Sequence, residues 1–137
     1  MAATDLPDVE FTEDLRLLVW RPRGVLDEAL LSKIIALLDD LEGASTDSFN
    51  RFIDTTGADA VYLNFKYVFH ISLYRRLSYA NRPAVKSAIL ATNEAAIHYG
   101  RHHAMLMQGS QINVRVFEEV DAAAAWLAVS EEVLRRK

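Results

Sequence analysis

Three side chains at helical spacing are the first candidates for chemistry in this chain. Glu94, His98 and His102 fall at i, i+4 and i+8, which on a helix lines up one carboxylate and two imidazoles, a donor set suited to a divalent metal ion. His103 follows directly. The HExxH pattern of a hydrolytic zinc helix is absent, and a solvated helix face rich in histidine accounts for the same spacing, so no metal or other cofactor is expected. Asp54-Thr55-Thr56-Gly57 is the second candidate, two hydroxyls beside a carboxylate. Near a helix N-terminus such a turn can take an anion or a phosphoryl group, and it can equally do no more than reverse the chain. His70, between Phe69 and Ile71, has no nucleophile motif beside it and reads as a hydrogen-bonded structural residue. With no acid/base carboxylate pair, phosphate loop or thiol, the expectation is a protein that binds and does not catalyse.

The elements that position these groups follow from periodicity. Asp8 to Glu13 and Leu15 to Arg21 nearly alternate around Glu13-Asp14, which predicts an N-terminal β-hairpin. VLDEALLSKIIALLDDLEG, from Val25 to Gly43, carries leucine and isoleucine at helical spacing and predicts an amphipathic helix. Phe49 to Asp54 predicts a strand, Val85 to Ala91 another, and Gln111 to Phe117 alternates strictly. A helix from Thr92 or Asn93 to about Gln108 and a last one from about Asp121 to the C-terminus complete the order β-β-α-β-α-β-α-β-α. Met105 to Met107 and Ala122 to Ala125 are expected to be core. Strands separated by helices imply parallel pairing with right-handed crossovers. The fold class expected is α/β, a single small mixed sheet of about five strands, helices mainly on one face and the other face partly wet. In that topology Asp54, Thr55, Thr92, Asn93 and Glu94 meet at the carboxyl ends of neighbouring strands.

The remaining helix is the segment from Ala60 to Tyr79, AVYLNFKYVFHISLYRRLSY, which holds four of the five tyrosines. Phe65, Val68, Phe69, Ser72 and Leu73 form one stripe, and Tyr67, Ile71 and Tyr74 a second. One stripe suffices for a core, so the other is offered to a subunit, a ligand or a lipid. The candidate binding residues are Tyr62, Phe65, Lys66, Tyr67, Phe69, His70, Tyr74, Arg75 and Arg76. Homodimerisation through this helix is expected, with a protein partner or a lipid surface as the further binding target.

At 137 residues and 51% hydrophobic the chain fits one domain. It has no cysteine, which excludes disulfides and thiolate metal clusters. Its apolar runs fall short of the roughly 20 residues of a spanning helix, so a cytoplasmic chain is expected, with peripheral membrane attachment as the second location. Residues 1 to 59 carry thirteen acids against five bases, whereas Ala60 to Asn93 has no acid and Lys66, Arg75, Arg76, Arg82 and Lys86. Five cations in a chain of net charge -4 make a weak footprint for nucleic acid, which is not expected as a partner.

The opening hairpin ending LLVWRPRGVLD, the helix LLSKIIALLDDLEG, the strand ending RFIDTTG and the closing INVRVFEEVDAAAAWL together resemble the SpoIIAA-like family, the fold of STAS domains and CRAL-TRIO lipid-binding domains. The resemblance spans nearly the whole chain. It implies a small mixed sheet in sequential order, no catalysis, and a regulatory role in protein interaction or lipid association. Anti-sigma-factor antagonists of the family carry a phosphorylatable Ser or Thr in a turn that Asp54-Thr55-Thr56-Gly57 is similar to. If Asp54 instead matches the aspartate of the preceding strand, the switch position falls at Tyr62 to Asn64, which lacks a hydroxyl of the right kind.

Overall fold

Period-two alternation and a reversal after Glu13 build the first hairpin. β1 (Val9–Thr12) runs antiparallel to β2 (Leu17–Trp20), Val9 opposite Trp20 and Thr12 opposite Leu17. Arg16 holds the turn: its N–H donates to Glu13 O at 3.1 Å and its guanidinium meets the Glu13 carboxylate at 2.7 Å. The structure is a computed structural model and describes residues 6–44 and 47–135. Part of the polar connection from Ala44 to Ser48, and Arg136-Lys137, the expected end of the last helix, lie outside the described residues.

The chain continues through β3 (Gly24–Asp27), α1 (Glu28–Ala44), β4 (Asn50–Asp54), a 3-10 turn (Thr55–Gly57), β5 (Ala58–Tyr62), α2 (Phe65–Ser78), β6 (Val85–Leu90), α3 (Glu94–Leu106), β7 (Ile112–Phe117), α4 (Val120–Leu127) and α5 (Glu131–Leu134). Five strands form a mixed sheet in the order β1-β2-β4-β6-β7, parallel except for the hairpin, which is the architecture expected. β3 and β5 form a separate parallel ribbon.

That ribbon corrects two expectations. Val25 to Asp27 is strand, because the Asp27 carboxylate accepts the Leu30 N–H at 3.0 Å and caps the helix, which therefore starts only after it. Ala58 to Tyr62 pairs with it, so Tyr62 lies on a strand, and the aromatic helix begins after Asn64, whose side chain accepts the Tyr67 N–H at 2.8 Å. Hydrophobic periodicity is ambiguous over such short apolar runs, and the caps decide.

The sheet is covered on both faces. α1, α2 and α3 lie over Leu18, Trp20, Val85, Ile112 and Val114, while α4 and α5 pack Ala123, Ala124, Leu127 and Leu134 against Leu17, Val19, Phe52, Ala88, Leu90 and Phe117. All four residues of β2 are buried, which requires cover on either side. The far face is nonetheless partly wet, as expected, with Glu10, Asn113 and Arg115 exposed on it. Asn113 and Arg115 reach solvent because β7 is an edge strand, and Arg115 spreads over the Phe117 and Trp126 rings at 5.2 and 5.4 Å. The small Ala123 and Ala124 let α4 approach the sheet, as expected of the alanine run.

Candidate functional site

α2 lies between α1 and α3, and its side chains divide by direction. Val68, Ser72 and Arg75, followed by Tyr79, form the buried line against the sheet. On the α1 side, the Tyr67 hydroxyl donates to Glu28 O at 3.0 Å and accepts from Ser32 Oγ at 2.7 Å, and the Tyr74 hydroxyl donates to Asp39. That bond, first among the causes, raises the Tyr74 pKa above its ordinary value. On the α3 side, the Phe65 ring sits against His98, Tyr99 and His102 with centroids 5.1, 5.2 and 5.0 Å away. The outward face is left with Lys66, Phe69, His70, Leu73 and Leu77.

The stripes read from spacing are therefore redistributed. Of the first, Val68 and Ser72 are core, while Phe65, Phe69 and Leu73 are exposed; of the second, Tyr67 and Tyr74 are tied to α1 by their hydroxyls. Met105 also departs from expectation: Met107 is core, but Met105 is exposed.

Beneath α2 a buried carboxylate joins three elements. Oε2 of Glu42, on α1, accepts from Arg51 of β4 at 2.7 Å and from Arg75 of α2 at 2.6 Å, and Arg75 also reaches Asp39 at 2.8 Å. Arg51 donates to Phe49 O and lies over the Phe49 and Tyr79 rings. Burial lowers its pKa, with Glu42 opposing. Beside this cluster lies an apolar cavity of about 140 Å3, walled by Trp20, Ile34, Leu38, Val68 and Ile89, with Arg51, Arg75 and His103 among its polar members.

His103 closes the α2–α3 seam. Ser72 Oγ donates to Val68 O at 2.7 Å and lies 2.7 Å from His103 Nδ1. The hydroxyl proton being committed to the carbonyl, Nδ1 is the donor and the ring is the neutral Nδ1–H tautomer. Burial, then the Arg75 and His102 charges, lowers its pKa to about 4.

The basic block proves to be structural. Arg76 donates to Leu106 O and Gln108 O at the C-terminus of α3, Arg82 to Glu42 O near that of α1, and Lys86 to Trp126 O at that of α4. Each cation meets the carbonyls that a helix leaves unpaired at its negative end. With Arg75 in the buried cluster, Lys66 is the member of the block that points outward.

The other candidates are taken up in turns, caps and packing, with Asp54 and Thr55 beside the carboxyl end of β6 as expected. Asp54 Oδ1 accepts from the Thr56 N–H and hydroxyl at 2.9 and 2.6 Å, and the buried Thr55 hydroxyl donates to Leu90 O at 2.7 Å. This is a capped turn leading into β5, and the residue at the start of α2 is Asn64. Asn93 caps α3 through Ala95 N–H at 2.8 Å and Ala96 N–H at 3.3 Å. Phe65 stands against His98 and His102, and among the described residues no three His, Asp or Glu side chains converge on a metal position. Glu42 and Arg51 escaped sequence reasoning, and Ser72 and His103 were named there without the bond that joins them. The signal was Glu42 at i+8 from Ile34, and Ser72 and Arg75 at i+4 and i+7 from Val68, polar residues on buried stripes.

Among solved structures, an uncharacterised protein of the DUF3478 family with a SpoIIAA-like fold, from Shewanella loihica PV-4, is similar at a TM-score of 0.54 and 22% identity, over 87% of this chain and 90% of that one. This chain has a SpoIIAA-like fold. No protein-family model and no curated protein matches the chain. The sequential strand order that the resemblance implied is the one observed in the main sheet, and at this identity the likeness carries the fold alone. No helix among the described residues is long and apolar enough to cross a membrane.

Proposed function

We propose that the chain is a non-catalytic, SpoIIAA-like interaction module that pairs with a second copy of itself through α2. The observation that carries this is the exposure of large apolar side chains along one short segment. Tyr62, Phe65, Phe69, Leu73, Tyr74 and Leu77 are each between 46% and 69% exposed. At roughly 200 Å2 per large side chain they offer about 600 Å2 per copy, and two copies together reach the lower end of the ~1,200–2,000 Å2 of a stable interface. The face is self-complementary: in an antiparallel pairing of two α2 helices, Lys66 falls opposite Leu77 and His70 opposite Leu73, with no like charges opposed.

The lipid-surface alternative uses the same aromatics but needs free cations near anionic head groups. Arg75, Arg76, Arg82 and Lys86 are engaged inside the fold. The cavity, near the size that holds one benzene, is too small for an acyl chain.

Light scattering at tens of micromolar tests the pairing: dimer mass for the wild type, monomer mass for Phe69→Glu/Leu73→Glu with the melting temperature retained. A wild-type monomer sinks the proposal. In parallel, salt-sensitive sedimentation with anionic liposomes, lost in Lys66→Glu, would put the lipid surface first.

A further inference from the structure

Strand β7 ends the five-stranded sheet, and only its inner edge is paired. Val85 N–H donates to Gln111 O and Ala91 N–H to Phe117 O, so the odd-numbered residues from 111 to 117 turn their peptide groups toward β6. Ile112, Val114 and Val116 turn theirs outward. Ser110 Oγ takes up the first of these, donating to Ile112 O at 2.9 Å and accepting the Ile112 N–H at 3.2 Å. The outward groups of Val114 and Val116 have no strand partner among the described residues. Two successive outward residues offer two donors and two acceptors, enough to register a short added strand.

The space along that edge is open. A groove of about 720 Å3 lies there, with Arg101 and Ala104 of α3 and Gln108 just past its end on one side and Arg115 of β7 on the other. An extended segment of four residues is about 13 Å long and fits such a groove. The lining includes Arg101 and Arg115 and no carboxylate. Arg101 is 67% exposed and its nearest acid, Glu118, is 3.6 Å away, while Arg115 rests on aromatic rings with no ion pair among the described residues.

This charge pattern selects the occupant. If a second copy used both Val114 and Val116 in an antiparallel β7–β7 pairing, each Arg115 would stand directly opposite the other, a destabilising arrangement of like charges. An acidic side chain at the same place in a different strand meets a cation instead. We propose that the outer edge of β7 is the docking site for an extended, acidic segment of a partner protein, which adds as a sixth strand with its carboxylate against Arg115. The site is separate from the outward face of α2 and does not rest on pairing there.

Fluorescence anisotropy with a fluorescein-labelled Ser-Val-Glu-Val-Ser peptide tests it. In antiparallel register the glutamate lies opposite Arg115 and the two valines bond Val114 and Val116. The peptide should bind saturably, at least tenfold tighter than its Glu-to-Lys counterpart and more weakly as salt rises. Methylating the two valine amide nitrogens should abolish binding, whereas methylating the glutamate nitrogen should leave it. Arg115→Glu, an exposed change, should invert the preference between the two peptides. Equal binding of the Glu and Lys peptides, indifference to valine N-methylation, or no binding at millimolar peptide would each overturn the proposal.

Discussion

Replacing Glu42 by alanine removes one carboxylate oxygen that two buried guanidiniums share. Arg51 and Arg75 then lose their contacts at 2.7 and 2.6 Å, and the desolvated Arg51 has no other carboxylate partner among the described residues. Arg75 keeps the partly exposed Asp39 at 2.8 Å. Breaking a buried pair from one side costs about 3–5 kcal/mol, because the remaining charge stays out of water. In a domain of this size each kcal/mol is worth about 3–4 °C, so the melting temperature should fall by roughly 10–15 °C or more. Asp39→Asn, at the partly solvated end, should cost about 1 kcal/mol or less. Urea unfolding followed by circular dichroism measures both, with unchanged m-values as the check that the unfolded state is the same. The two variants losing equal stability, or Glu42→Ala losing less than about 1 kcal/mol, would refute the account of this cluster as the tie between α1, β4 and α2.

Two further outcomes follow from the packing of α3. The His103 pKa is about 4 in the folded chain against 6.5 for the free side chain, so the unfolded chain binds the extra proton between those values. Stability should be flat above pH 6.5 and should fall as the pH drops toward 4, by about 2–3 kcal/mol at pH 4.5. His103→Gln should remove that part of the slope, and parallel wild-type and variant profiles in urea titrations at pH 7 and 4.5 would contradict it. At Gly100 an added Cβ would stand 3.1 Å from Val116 Cγ2 and 3.7 Å from Ile89 Cγ2, so the helix and the sheet meet there without room for a side chain. Gly100→Val should cost about 2–3 kcal/mol by overpacking, and a variant as stable as the wild type in the same measurement would show that the seam gives way.

The sequence by itself determined the architecture. Alternation, helical spacing and capping residues placed every strand of the main sheet and the three long helices, because these signals are local and each agrees with the fold as a whole. It also made α2 the element rich in aromatics, where the exposed apolar side chains lie. Direction was beyond it. Which stripe of α2 faces inward depends on α1 and α3 standing on either side, and only the tertiary arrangement turned Val68 and Ser72 in and left Phe69 and Leu73 out. Only the fold showed that the basic residues from Arg75 to Lys86 serve a buried carboxylate and helix C-termini, since their partners lie between 30 and 40 residues away. The β3–β5 ribbon, the cover that α4 gives the far face and the free edge of β7 are likewise long-range outcomes. Spacing along a chain fixes which side chains share a face, and packing between distant segments decides what that face meets.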